Sequence, residues 1–594
     1  MEINKYKYGI LDFIIINIRI SPILTILRLC NKIFAALLPS IMVLVSSNFI
    51  NSVLAVFTGK AITTQVYIPL FILSLIILYQ YIDSIMVSFI TTKIKMELKE
   101  KVFVSLITKR AQLNYRHIEN NDTWEIIKRV FSQPEDKVYN GFDTILRVID
   151  MYIRAISILI ILFTQVWWAG LSIIAFSVPL FFLSVRSGKV TYEAFREASK
   201  HRRKADYFQE LLTNRESVDE RTLFSFTDEI NKKWYKYYET ARKINMKALA
   251  KNFVRMKGAS LITTLISLLI TIVLIISLGN GKITIGMFIS LVTASFSLVQ
   301  LMSWELASTM SQLTQCREYL KDFNDFVNLD TKEGANDLPI RKEQFSMESI
   351  EFENVYFKYP GTDRYILKDF SMKLNAKKHY AFVGVNGAGK TTLTKLLAGL
   401  YDNFEGVIKI NSKNIKEYSY AELKGIFGII YQDFAKYSIT VKDNIALGNI
   451  ANINEKQILH AVKTAELEPI LTKLPNGIDT YLGKIKGNND LSGGEWQRVA
   501  IARLLASKAP VYILDEPTAA LDPLSERTIY ETFNRISKGK TTIFITHRLG
   551  VAKIADEVFV IDDGKVIEIG NHEYLMKKGG VYAQMFENQR SWYT

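Results

Sequence analysis

The sequence predicts two architectures in one chain: a polytopic α-helical membrane domain of six spans with long cytoplasmic extensions, then an α/β domain built around a phosphate-binding loop. Three observations predict it. Six apolar segments fill the first half of the 594 residues. Basic residues concentrate between alternate segments. A glycine-rich string, Gly384-Val-Asn-Gly-Ala-Gly-Lys-Thr-Thr392, lies between a strand-like run at 380–383 and a helix-like run at 393–400. The overall mean hydropathy of +0.10 averages over an apolar half and a soluble-looking half.

In chain order, the first feature is an amphipathic stretch at 10–29. Lys5 and Lys7 precede it, but Asp12, Asn17 and Arg19 interrupt its apolar run and no small-residue cleavage site follows, which argues against a secretory signal. It reads as a helix on the membrane surface or as one packed on the protein itself. The 32 residues before the first span are too few for a peptidase-like domain, so the chain is not expected to cleave its own cargo.

A bilayer-spanning helix needs about 20 mostly apolar residues. Segments 33–57, 66–90, 148–167, 168–188, 260–279 and 284–306 meet that length. Short connections join the first to the second, the third to the fourth and the fifth to the sixth. The other two are long, 91–147 and 189–257, and carry 11 and 17 Lys and Arg, whereas the short turns carry only Lys60 and Lys282. Basic loops stay cytoplasmic, so the chain is expected to cross the cell membrane several times with both termini and the C-terminal domain in the cytoplasm. This topology accounts for most of the net charge of +15 and leaves nothing for a nucleic-acid partner to explain. Two cysteines, Cys30 and Cys316, imply neither a disulfide framework nor a zinc site.

Loops this long are rarely structureless, and their patterning is helical. Polar residues within or at the ends of the spans, Asn48, Asn51, Gln80, Asp83, Asp150, Arg154, Gln300 and Glu305, either line a cargo path or pair between helices. Pairing is the favoured reading, because buried charge in a membrane needs a partner. Residues 321–349 are charged and weakly periodic, and are expected to link the two domains.

Downstream, successive backbone amides at 384–389 can cradle phosphate oxygens, reinforced by the N-terminus of the following helix. Lys390 is placed for the β- and γ-phosphates, and Thr391 for Mg²⁺. Asp515 ends the apolar run Val511-Tyr-Ile-Leu514, so its carboxylate is expected at a strand edge where it can orient Mg²⁺. Glu516 can polarise an attacking water. Leu491-Ser-Gly-Gly-Glu-Trp-Gln-Arg498 opens a helix whose N-terminus offers a second anion site.

These residues resemble the ATP-binding cassette (ABC) family over the C-terminal part from about residue 350, which makes this domain an α/β P-loop NTPase of the ABC type. The resemblance implies ATP and Mg²⁺ as ligands and ATP hydrolysis as the activity. It implies that Gly384, Val385, Asn386, Gly387, Ala388, Gly389, Lys390, Thr391 and Thr392 bind nucleotide, that Tyr359 stacks on adenine, and that Thr391, Gln432 and Asp515 hold the metal. It implies Glu516 as catalytic base, with Gln432 and His547 assisting at the γ-phosphate. It further implies that Ser492, Gly493, Gly494 and Asp522 act across a dimer contact. One cassette cannot then close its own site, so a second chain is needed. A homodimer is favoured over a heterodimer because Glu516 and the signature segment Leu491–Arg498 are intact.

The whole layout resembles half of an exporter, which implies a short coupling helix docking on a cassette at the tip of each long loop, expected near 117–125 and 215–222. Gln432-Asp-Phe-Ala-Lys-Tyr437, Tyr481-Leu-Gly-Lys484, Ser492-Gly-Gly-Glu-Trp-Gln-Arg498 and Ala519-Ala-Leu-Asp-Pro523 are similar to exporters of lantibiotics and other ribosomal peptides. That implies a peptide or other amphipathic cargo and lipid contact, with a lipid or multidrug exporter as the alternative and a non-transporting regulator less favoured. Two departures stand out. Lys484 replaces a frequent Glu before the signature, in a stretch about two residues longer than the pattern. Glu495 replaces the usual Gln and is expected to alter surface chemistry more than phosphate binding.

Overall fold

A computed structural model describes residues 7–165, 167–214, 217–301, 305–341, 345–451, 453–483, 489–517, 523–548 and 550–591. It divides into two units. Residues up to 109 and 122–329 form the first; residues 110–121 and 330 onward form the second.

The first unit is helical. It comprises α1 (Asp12–Ile20), α2 (Pro22–Phe57), α3 (Thr64–Leu98), the start of α4 (Val104–Gln112), α6 (Asn121–Phe131), α7 (Pro134–Gln165), α8 (Trp167–Thr213), α9 (Val218–Phe224), α10 (Thr227–Gly279), α11 (Ile285–Gln300) and α12 (Leu306–Val327); α5 (Tyr115–Glu119) belongs to the second unit. Among the described residues, Pro22–Phe57 and Thr64–Gln112 carry the length and hydropathy of membrane spans, and Ser267–Gly279 and Ile285–Leu298 are shorter apolar helices. Val43 of α2, Ile158 and Leu162 of α7, Leu274 of α10 and Leu291 of α11 interlock in one core. At one point backbones touch: a Cβ on Gly286 would lie 2.2 Å from the Ser47 carbonyl oxygen, so only glycine fits there. Asn51 accepts from the Gly286 amide at 2.9 Å and donates to Thr284 Oγ1 at 2.8 Å, closing the same contact.

The N-terminal stretch differs from the expectation. Its first helix ends at Ile20, and Pro22 at the first turn opens α2, which runs on without interruption to Phe57. Proline has no N–H to donate, so the first turn of a helix, where that N–H would have no partner within the helix, suits it best. One face of α1, with Phe13, Ile16 and Ile20, is buried, and Phe13 presses on α7 where only Gly141 leaves room. Leu11, Ile15 and Ile18 stay exposed. The linker also starts later: residues 321–327 continue α12, because Tyr319, Leu320, Phe323, Phe326 and Val327 form a buried stripe beneath the charged face.

Charged residues in this unit pair between helices. Asp150 is buried and lies 2.6 Å from Arg154 and 3.6 Å from Lys32; Arg154 also meets Glu305 at 3.5 Å. Asp83 accepts from Asn31 at 2.6 Å.

The second unit carries two sheets. β1 (Ser349–Lys358), β2 (Tyr365–Asn375), β4 (Glu405–Ile410) and β5 (Lys413–Asn414) form an antiparallel sheet in the order β2-β1-β4-β5. β3 (His379–Val383), β6 (Phe427–Ile430), β7 (Val511–Asp515), β8 (Thr541–Ile545), β9 (Glu557–Asp562) and β10 (Lys565–Gly570) form the other, in the order β10-β9-β3-β8-β7-β6. All its pairs are parallel except β10 with β9. β7 and β8 are buried at every position, as a strand covered on both faces must be. α13 (Lys390–Leu397) follows β3; α14 (Tyr420–Ile426), α15 (Val441–Ala446), α16 (Glu455–Thr464), α17 (Glu468–Leu471), α18 (Gly493–Ser507), α19 (Pro523–Ile536), α20 (His572–Lys578) and α21 (Val581–Arg590) complete the unit. One core joins the two sheets through Phe352, Phe370, Phe382 and Leu393; another packs α15, α16 and α18 on β7 through Trp496 and Tyr512.

Candidate functional site

Parallel pairing decides where the site lies. Phe382 is in register with Ile545, and Ile545 with Asp515, so β3, β8 and β7 end in one row. The chain leaving each strand therefore reaches the same edge, the usual ligand edge of such sheets. Thr546 donates its N–H to Phe382 O at 3.1 Å, and Glu516 donates its N–H to Ile545 O at 2.8 Å. These bonds stitch the three exits together.

The phosphate-loop residues 384–389 form the exit of β3. Gly384 has φ +156° and its missing Cβ would sit 2.1 Å from Ile561 O; Gly389 caps α13 at φ +102°. A side chain at either would displace the loop. Ala388 is buried beneath it, while Val385 is exposed. Lys390 is buried and folds back, donating from Nζ to the carbonyls of Gly384 at 2.8 Å and Val385 at 3.0 Å. Burial lowers its pKa, against the opposing charges of Glu516 and Asp515. The ammonium is held at the loop it would serve. Thr392 is buried and meets the Tyr359 hydroxyl at 3.0 Å. Tyr359 is half-buried, edge-on to Phe357 and Tyr401.

Beside the loop, Asp515 is buried, and burial pushes its carboxyl up to about 6 despite a hydrogen bond from Thr391. Its Oδ1 has no hydrogen-bond partner among the described residues. A buried, half-satisfied carboxylate next to an exposed threonine hydroxyl is the donor set a hard cation takes, so these residues fit Mg²⁺. Glu516 follows in the left-handed region at φ +47°, a conformation costly for a residue with a Cβ and typical of sites that aim a side chain. Its Oε1 lies 3.1 Å from His547 Nδ1. Gln432 is exposed, two residues beyond the end of β6. Asp522, the segment 484–488 and the side chain of Gln300 lie outside the described residues.

The signature segment opens α18. Exposed Ser492 caps α18, and Glu495 closes a reciprocal capping box. Glu495 Oε2 accepts from the Ser492 amide at 2.8 Å and from its hydroxyl at 2.9 Å. The carboxylate of Glu495 thus engages Ser492 itself, a contact the sequence reading does not foresee. The Ser-x-x-Glu spacing carried that signal.

The family model for ABC transporters matches residues 367–519. The subtilin transport ATP-binding protein SpaT of Bacillus subtilis is 30% identical over 563 residues, covering 94% of this chain and 90% of the relative. The chain belongs to the ABC transporter family. The nisin transport ATP-binding protein NisT of Lactococcus lactis subsp. lactis is 27% identical, covering 85% of this chain and 84% of its own. An ATP-dependent lipid A-core flippase of Escherichia coli is also 27% identical, over 88% of both chains. A solved bacterial Atm1-family ABC exporter with ATP bound shares the fold at a TM-score of 0.72 and 23% identity, covering 94% of this chain and 98% of that one. This ABC transporter is thus an exporter of the cell membrane whose cassette binds ATP and hydrolyses it to drive transport.

Proposed function

We propose that two copies of this chain export a ribosomally made, lantibiotic-like peptide by alternating access. The observation that carries the ATP-driven part is the convergence of Lys390, Thr391, Asp515, Glu516 and His547 at one strand edge. Tyr359 stacks on adenine beside Thr392, and the amides of 384–389 with Lys390 hold the phosphates. Thr391 and Asp515, with Gln432, hold Mg²⁺, which when bound neutralises charge on the phosphate oxygens. Glu516 orients and deprotonates the attacking water while His547 fixes its carboxylate and reaches the γ-phosphate. Ser492, Gly493 and Gly494 of one copy, with Asp522, complete the site of the other. Six spans with both termini in the cytoplasm carry the cargo path.

The peptide reading is supported by the subtilin and nisin relatives, which match across nearly the whole chain. The flippase relative, at similar identity, supports lipid as the second reading. The test is ATPase activity of the purified protein in lipid, with and without a panel of cationic precursor peptides. Saturable stimulation by one peptide is the expected result. Activity unmoved by peptides and raised by lipid would replace the first reading with the second.

A further inference from the structure

One five-residue helix of the cassette unit is spliced into the membrane unit's sequence. The chain leaves the first unit at Lys109 and returns to it at Asp122. A helix as short as α5 has no stability of its own, so its seat must be made by tertiary contacts. On one side Asp330 holds the segment: it accepts from Arg116 at 2.7 Å and meets His117 Nε2 at 2.5 Å, and the Asn114 amide donates to its carbonyl at 3.2 Å. Lys332 donates its amide to Gln112 O at 2.8 Å.

On the other side lies a cluster the proposed chemistry does not use. Glu119, the last residue of α5, accepts from Lys395 Nζ at 2.5 Å and from the Tyr401 hydroxyl. Burial alone would raise the Glu119 carboxyl, but these two bonds and the lysine charge hold it below the usual carboxylate range. Lys395 sits on α13, five residues past Lys390, and its side chain is only 18% exposed. Its ammonium lies 5.3 Å from the ring centre of Tyr359 and 5.5 Å from that of Tyr115, within cation–π reach of both. Tyr401 reaches Tyr359 too, ring edge to face, with centroids 5.6 Å apart at 78°. Glu119 thus touches the Tyr359 ring through two independent intermediates, Lys395 and Tyr401.

We infer that Glu119 is a positioning residue for the base of the nucleotide: it fixes Lys395 and Tyr401, and through them the Tyr359 ring, so that the seating of α5 sets the adenine pocket of the same chain. This rests on Tyr359 as the adenine ring. An intact ion pair pins the ammonium against that ring; without the carboxylate the lysine is free to leave for water and the ring loses its cationic neighbour.

The test is nucleotide affinity of the full-length protein in lipid, measured for ATP and for inorganic tripolyphosphate, which has no base to stack. Glu119→Gln should weaken ATP about threefold, the size of one cation–π contact, and leave tripolyphosphate unchanged. Lys395→Met should give the same pattern from the other partner. In a Tyr359→Ala background, Glu119→Gln should add nothing. Equal weakening of ATP and tripolyphosphate would reduce Glu119 to a general support of the cassette and overturn the inference. So would an additive effect in the Tyr359→Ala background. If Tyr359→Ala weakens ATP while Glu119→Gln and Lys395→Met do not, the relay fails and the adenine ring stands. If Tyr359→Ala itself leaves ATP unchanged, the adenine assignment fails and the inference with it.

Discussion

Asp150 in the helical unit and Asp515 in the cassette are both buried carboxylates, yet their surroundings differ in kind. Asp150 has Arg154 and Lys32 beside it, and Arg154 has Glu305. Asp515 has one neutral hydroxyl bonded to it, a like-charged neighbour in Glu516, the Lys390 and Lys395 charges acting on it without an ion-pair contact, and an oxygen with no partner among the described residues. Lys390 shows the same contrast, spending its charge on two backbone carbonyls. A buried charge whose partner is part of the fold serves structure; a buried charge left wanting serves a ligand that arrives later. Asp150, Arg154 and Glu305 therefore read as braces, and the residues at the strand edge as a receptor.

Substitutions can break or sharpen that contrast. The largest effect is expected at the receptor: Glu516→Gln should cut ATP turnover about 100- to 10,000-fold, the range of a lost general base, while ATP still binds. Steady-state hydrolysis alongside equilibrium binding reads both. Lys390→Ala should weaken ATP itself on the order of tenfold to a hundredfold, since it removes charge-assisted bonds; titration with a fluorescent nucleotide measures it. A brace should behave otherwise. Asp150→Asn leaves Arg154 and Lys32 without their shared carboxylate and should cost about 2 kcal/mol of stability, less than a fully buried pair because both cations are partly exposed. Thermal unfolding in lipid should show it, with nucleotide affinity unchanged. Loss of nucleotide affinity there instead would erase the distinction between brace and receptor. The smallest effect is at Glu495→Gln. Glutamine can keep the capping box, but it removes a negative charge from an anion-binding helix end, so KM for ATP should fall about two- to fivefold. A rise would mean the carboxylate orients Ser492 productively.

The cassette was largely legible because its chemistry is written in contiguous strings. Gly384 to Thr392 is one turn between a strand and a helix, and Asp515 with Glu516 closes an apolar run; local patterns of this sort survive without knowledge of the fold. What brings His547 to 3.1 Å from Glu516 is the parallel pairing of β7 with β8, which the apolar runs imply only in outline. Other features were present as signals that a different feature outweighed. Pro22 marked the helix break after Ile20, but the apolar run across it suggested one helix. The charges of 321–327 hid the stripe of Leu320, Phe323, Phe326 and Val327. Ser492 and Glu495 spelled a capping box that reading the string as a signature passed over. The coupling helix expected near 117–125 pointed to this region, but the pairing of Glu119 with Lys395 could not be read from it, because they lie 276 positions apart and neither belongs to a motif.

The most direct test of the account is transport itself. Inside-out vesicles containing the protein would be given Mg-ATP and a labelled cationic precursor peptide, and the peptide inside counted over time. The account predicts ATP-dependent accumulation in the wild type and none with Glu516→Gln. Vigorous ATP hydrolysis with no accumulation of any peptide tested would contradict the peptide-export reading.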